Sequence, residues 1–573
     1  MFLTGHIQGD LVSGSWKGLV FPPGGGVDRN AYVFCVLTEF HRRLRRRDVY
    51  AERSTRWRDP RAQLLSGDAW SSAKPSVLTA LGLPEGPDAL LADHARVLDE
   101  AYRAVGARLG ANAEVSVDKA DRLHVAALEA VPEPASLVEL ARRVQAMMPR
   151  VDLPEVILEV MAWEPGFLEA FRPIGGGRGR LADLDVSVAA CLAAHAMNVG
   201  FAPMVNADVP ALERDRLFHV DHNYLGADSY AAANAPLVAR QAGIPFAGAL
   251  GGGLVAGVDG MRFVVAVPSV YARPNPRFFG RERGITWLNM VNDQAVGLGH
   301  KVVSGTPRDT LHVLDVAFNH DGGQPPEVLV TDAGSYSDVV FGLVHLMDMA
   351  YRPAPADLPD QRLWRIDARA DYVPLNVAAR GRIDRERIRR HWPDIVRVVA
   401  SIYTGAIRAV DVVRMLQRDG HPTPLGEAIA AYGRVFKSLH LLAYVDDEAY
   451  RRAIKGMRNL QEGRHAVAEK IFHGRKGRVY KRYHEGMEDQ LGALGLVLNC
   501  VVLWNTFYID AILGRLRAGG HRVLDEDVAR LSPFISRHLS VLGHYYFALP
   551  EMPAGVRELG DPDAPADDGE DEE

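Results

Sequence analysis

The chain has 573 residues, 47% of them apolar and 24% charged, an ordinary globular balance with enough length for roughly two to four domains. Its net charge of −6 sits at one end: residues 558–573 hold nine acids and no Lys or Arg, and removing those nine charges leaves +3 for the rest. Cys35, Cys191 and Cys500 all lie in apolar runs, which points to buried thiols in a reducing compartment rather than to disulfides or a zinc site. The Met1 end lacks the basic and apolar segments of a secretion signal. The longest apolar run, Leu491 to Trp504, is broken by Asn499 and falls short of the ~20 residues of a membrane span, so the chain reads as soluble and cytoplasmic.

In chain order, residues 1–60 open with strand-and-turn material and a helix-like run that ends on Arg42, Arg43, Arg45, Arg46 and Arg47. Such a cluster suits either phosphate backbone or a solvated helix end. Residues 85–165 have helical spacing with prolines at the boundaries. The Gly175–Arg180 stretch lacks the Lys-Ser/Thr of a nucleotide-binding loop and reads as a linker, and His219, Asp221 and His222 fit a hydrogen-bonded turn better than a metal set. From Ile244 the pattern turns to strands alternating with helix-like pieces, and most of 383–545 is helical. Within it, Arg475, Lys476, Arg478, Lys481 and Arg482 interleave with Tyr480 and Tyr483. Charge with stacking rings suits nucleic acid, and equally a solvated face. The tail 557–573 is expected to be disordered.

The stretch from Gly248 to Asp338 organises the rest. Two β-branched runs each deliver an aspartate near glycine: Asp259 before Gly260, and Asp332 two residues before Gly334. Val328–Thr331 reads as a buried strand and Ser337–Met347 as a helix packed behind it. Enzymes that cut or join nucleic acid use acidic side chains around two divalent ions, and hard oxygen ligands suit magnesium or manganese. Composition alone does not select the acids.

The segments FLTGHIQGDLV, HVDHNYLGADSY, VDGMRF, TDAGSYSDVVFGL, EDQLGALGLVLNCVVLWNT and EDVARLSP resemble the TnpA transposases of the Tn-three family of replicative transposons, across the whole chain except its tail. The resemblance implies an α+β, mostly helical fold: an RNase H-like mixed β-sheet catalytic core with a large helical insertion, flanked by helical domains. It implies an Asp-Asp-Glu triad, which nicks transposon ends and joins the three-prime hydroxyl to target DNA with two Mg²⁺ or Mn²⁺ ions. The family's motifs fall on Asp259 in VDGMRF, Asp332 in TDAGSYSD and Glu462 in RNLQEGRHAVA, at spacings of 73 and 130. His465, one helical turn beyond Glu462, joins the basic residues as a DNA contact.

The expected segmentation is a mainly helical scaffold over 1–165, a linker and helical lead-in over 166–240, the β/α part of the core over 241–366, a helical insertion over 367–461, a C-terminal helical part over 462–556, and the tail. The implied partners are transposon ends and target DNA, bound by a homodimer in a nucleoid-associated, cytoplasmic bacterial setting, with a separate resolvase acting afterwards and no membrane. Several positions depart from the family pattern. Gly252 stands where some members carry an aspartate, Ala333 replaces a threonine, and Glu485 and Glu488 rival Glu462 as third acid. Family members also carry an N-terminal end-recognition region several hundred residues long, and this chain starts about where that region ends. The expectation is therefore a fragment, a split or a degraded transposase. The competing readings are a non-catalytic DNA-binding scaffold and a stand-alone RNase H-like nuclease.

Overall fold

The structure is a computed structural model describing residues 11–12, 14–46, 48–54, 58–119, 122–176, 181–304, 312–332, 336–355, 357–418, 421–543, 545–550, 552 and 556–563. Arg47, the Gly177–Arg180 loop, Ala333, Gly334 and the tail beyond 563 lie outside the described residues, as does most of FLTGHIQGDLV. The chain divides into two compact units, one formed by Met1–Ala92 with Asp384–Tyr432, the other by Asp93–Ile383 with Gly433–Glu573.

The first unit is helical, with Arg29–Arg46, Gly67–Ala80 and Arg385–Tyr403 as its main helices. Segments far apart in sequence meet through polar anchors. Trp392 Nε1 donates to the Pro84 carbonyl at 3.1 Å, and the Leu65 amide donates to Ser401 Oγ at 3.0 Å.

The second unit is built on a mixed sheet of β1 (Val255–Val264), β2 (Arg283–Asn292), β3 (Gly297–Ser304), β4 (Val328–Thr331) and β5 (Ala350–Pro353). The order is β3-β2-β1-β4-β5; a two-residue strand, Arg273–Pro274, also pairs with the start of β2. β1, β2 and β3 form an antiparallel meander, whereas β4 and β5 join in parallel. The hairpin between β2 and β3 follows from Asn292, whose Oδ1 accepts the amides of Gln294 and Val296; this is an Asx turn, which lets Ala295 take a left-handed φ of 68°. β4 is almost wholly buried, as a parallel strand covered on both faces must be.

Five helices of this unit position the site: α1 (Leu184–Ala196), α2 (Ala227–Ala242), α3 (Asp338–Leu346), α4 (Glu448–Ile471) and α5 (His484–Ala518). α3 follows β4 as its sequence foretells. The segment expected to be helical over 85–165 also contains an antiparallel hairpin, Val115–Val117 with Leu123–Val125. The short apolar run at Leu491 proves to be part of α5, which at 35 residues is long and apolar enough to cross a membrane by length and composition. That expectation is corrected because the helix extends well beyond the run on both sides; most of its apolar window is buried inside the protein. Asn499, the break in the run, is buried for a reason: its side chain accepts the Gly297 amide and donates to the Gly297 carbonyl, both at 2.8 Å, fixing the start of β3. The cysteines are free and buried, as anticipated.

Candidate active site

Asp259 sits in the middle of β1, and the register decides what it faces. Across the antiparallel ladder it stands opposite Asn289 of β2; across the parallel one, its predecessor Val258 pairs with Thr331, the residue before Asp332. The two aspartates are therefore level on neighbouring strands, whose backbones run about 4.8 Å apart. Burial raises the Asp259 carboxyl above its ordinary range and the Asp332 charge raises it further; the Gly260 amide, 2.7 Å from Oδ1, and the Arg262 and Arg458 charges pull the other way. Two acids repelling each other in a half-buried site are a donor set that suits a hard divalent cation.

A polar triangle backs this pair. His465 Nδ1 lies 3.9 Å from Asp259 Oδ2, and its Nε2 accepts from Asn289 Nδ2 at 3.0 Å. Burial above all, and then the Arg464 and Arg262 charges, push His465 down to about 4. The ring is neutral near pH 7, so its contact with Asp259 is not an ion pair. Since Nε2 accepts, the ring proton sits on Nδ1, facing Asp259. Asn289 Nδ2 also reaches the Asp259 carbonyl at 3.3 Å. Sequence reading missed Asn289, which carries no motif and is identified only by its register.

Glu462 lies on α4, exposed, four residues after Arg458 and three before His465, the two α4 residues whose side chains act on Asp259. The helix is seated by Ile454 and Met457, which pack with Val291 and Val330 of the sheet. The buried Gln461 side chain lies over Gly257, where a Cβ would come within 2.7 Å of it. Among the described residues, no three His, Cys, Asp or Glu side chains stand close enough together to hold a metal ion. Of the rivals, Glu488 is taken by His484 at 3.0 Å and responds to His300 and Lys301, and Glu485 is exposed at the start of α5. Gly252 precedes β1, at least four strand residues and roughly 13 Å upstream of the level of Asp259. Asp221 of the His219–His222 turn hydrogen-bonds His195 at 2.6 Å, and His219 meets Asn223.

The basic segment is tethered to the same sheet. Val479 bridges to the end of β1 in parallel, with its amide on the Val264 carbonyl. Asn198 Nδ2 donates to the carbonyls of Gly474 and Arg478, at 2.7 and 2.8 Å. A side chain at Gly474 would come within 2.4 Å of the Asn198 carbonyl, and Arg475 and Lys476 both take left-handed backbone angles, φ 53° and 57°. Arg475, Lys476 and Arg482 are exposed, and Arg475 lies over the Tyr480 ring at 5.0 Å. Arg478 is paired with Glu282 at 2.8 Å, and Lys481 is half-buried near Asp221 and Asp489.

A mixed sheet that levels two aspartates beneath an acid-bearing helix defines the class: an α+β protein with a carboxylate site of the kind found in metal-dependent enzymes. Residues 155–545 match the family described as Tn3 transposase DDE domain, more than half of the chain, and the chain belongs to that family. It is similar to the transposase for transposon Tn4556 of Streptomyces fradiae, 58% identical over 566 residues that cover 98% of this chain and 63% of that protein. The transposase for transposon gamma-delta of Escherichia coli (strain K12) is 42% identical over 544 residues, 94% of this chain and 54% of that protein. The transposase for transposon Tn21 of Escherichia coli is 29% identical over 533 residues, 92% and 53%. The chain thus spans 53–63% of the length of these relatives.

Proposed function

We propose that this chain carries the catalytic core of a replicative DNA transposase, with Asp259, Asp332 and Glu462 as its acids. The observation that supports this reading best is the register that sets Asp259 and Asp332 level on adjacent parallel strands. The sheet order, with α3 behind it, agrees with an RNase H-like core, and the helices Arg385–Tyr403, Ala409–Met415 and Pro424–Asp446 fall between β5 and Glu462, as a helical insertion requires.

The three acids would hold two Mg²⁺ or Mn²⁺ ions, which when bound activate the attacking oxygen and stabilise the leaving one. The protein's own groups prepare that site. Asn289 and His465 orient Asp259, and the neutral imidazole adds no positive charge to compete with a cation. Gln461 against Gly257 sets the height of α4 and so of Glu462. Arg475, Lys476 and Arg482 offer phosphate contacts beside the sheet, on a backbone held by Asn198. The reaction is hydrolysis of the phosphodiester at a transposon end, followed by in-line attack of the freed three-prime hydroxyl on target DNA, with two copies of the chain on the DNA. A separate resolvase would act on the product.

The test is Mg²⁺-dependent nicking and strand transfer on end-containing DNA. Asp259→Asn, Asp332→Asn and Glu462→Gln should each abolish both steps while leaving DNA binding intact. Retained nicking in Asp259→Asn sinks the assignment. A second reading, a non-catalytic DNA-binding scaffold, draws support from the absence of a three-acid cluster among the described residues; it predicts DNA binding without nicking in the unaltered chain. Nicking without joining of pre-cleaved ends would instead mark a nuclease.

A further inference from the structure

Behind the site lies a closed polar cavity. Arg464, two residues after Glu462, points away from solvent: it is 2% exposed. Its Nη2 donates to the Gly495 carbonyl at 3.1 Å, but Nε and Nη1 have no partner among the described residues. The same holds for Trp287 Nε1, the Tyr230 hydroxyl and Asn289 Oδ1, and all four residues line one cavity of about 20 Å³ between the sheet and α5. A void of that size admits about one particle as large as a water molecule. Glycines border it: a Cβ at Gly297 would approach Arg464 Nη2 to 2.5 Å, and one at Gly495 would approach Trp287 to 3.2 Å.

The charge balance is the anomaly. Burying a guanidinium without a counter-ion is strongly unfavourable. Asp321 also lines the cavity, but it takes the Asn234 amide at 3.1 Å and burial raises its carboxyl to about 6, whereas a carboxylate that answered the guanidinium would be lowered. His300, the other titratable group there, is held down to about 4 by burial, so it is neutral near pH 7 and brings no negative charge. Three of the four unpartnered residues present donors. A water molecule satisfies dipoles but leaves the charge, and phosphate or sulfate is too large.

We propose that this cavity binds a single monatomic anion of the halide class, held by the unpartnered donors of Arg464, Trp287 and Tyr230. The site is distinct from the proposed acid cluster, although Asn289 forms part of both walls: its Nδ2 serves His465 and Asp259, and its Oδ1 faces the cavity.

The experiment is thermal unfolding of the full chain in sodium chloride or bromide against sodium gluconate at equal ionic strength. An anion that binds only the folded state gives a saturable rise in Tm with halide concentration. Trp287→Phe and Tyr230→Phe each keep the ring and remove a donor, and should shift that dependence to higher halide concentration. Arg464→Met, where it folds, should abolish it. A Tm that follows ionic strength alone, identical in bromide and gluconate, overturns the proposal. So does a crystal grown in bromide whose cavity shows only a water molecule and no anomalous peak.

Discussion

The strand-borne acids and the helix-borne acid are positioned by different forces. Asp259 and Asp332 are held by backbone ladders, in which a slip of one residue would turn every side chain to the opposite face. Glu462 depends on how α4 lies on the sheet, through Ile454, Met457 and Gln461. The first pair is rigid by hydrogen bonding; the third acid is only as well placed as the packing beneath it. A site divided in this way responds differently to damage in its two halves.

The sharpest way to break the comparison is at the acids. Removing a direct ligand should exceed the roughly 10–100-fold penalty typical of its outer-shell partners, so Asp259→Asn and Asp332→Asn should lose more than about 100-fold in nicking rate, while Asn289→Ala should lose about 10–100-fold. Equal losses in Glu462→Gln would show that the helix delivers its acid as firmly as the strands do; an active Glu462→Gln would return attention to Glu485 and Glu488.

Packing comes next. Gly257→Val forces a side chain into Gln461 and should cost about 1–3 kcal/mol of stability, along with nicking activity, because α4 must lift. Gly456 lies on the same helix with nothing within 4 Å of its missing Cβ, so Gly456→Ala should stabilise by about 1 kcal/mol and leave nicking unchanged. Denaturant midpoints and nicking rates on the two variants separate helix seating from helix propensity.

Acid should act on the second unit through buried imidazoles. Burial holds His538 down to about 4, and neither of its ring nitrogens has a partner among the described residues. The folded state therefore resists a proton that the unfolded chain accepts near pH 6.5. Its contribution is fully present above about pH 6.5 and lost as the pH falls towards 4, amounting to up to about 3 kcal/mol. His538 stacks on Trp504 at 5.2 Å, so His538→Phe should keep the stack and flatten the fall in Tm between pH 6.5 and 4. An equally steep fall would assign that acid sensitivity to other groups.

The smallest effects belong to the basic segment. Arg475→Gln, Lys476→Gln and Arg482→Gln should each weaken DNA binding modestly and reduce the salt slope by about one unit. Arg478→Gln should do less, since that guanidinium is already committed to Glu282. Fluorescence anisotropy across a salt series distinguishes them, and an unchanged slope in all four would remove this segment from the interface.

What the sequence determined by itself were the elements with local signatures. β4 followed by α3 was legible in Val328–Thr331 and the run after Ser337, and the motifs around Asp259, Asp332 and Glu462 marked the acids and the family. The break at Asn499 was visible but not its purpose, because its partner, Gly297, lies 202 residues away. The same holds for Asn289 with His465, for Gln461 over Gly257, and for the four residues around the buried guanidinium. Tertiary structure alone decided these. A hydrogen bond between distant segments leaves no periodicity in the chain, and an arginine in a polar-looking helix reads as solvated until the sheet and α5 close over it.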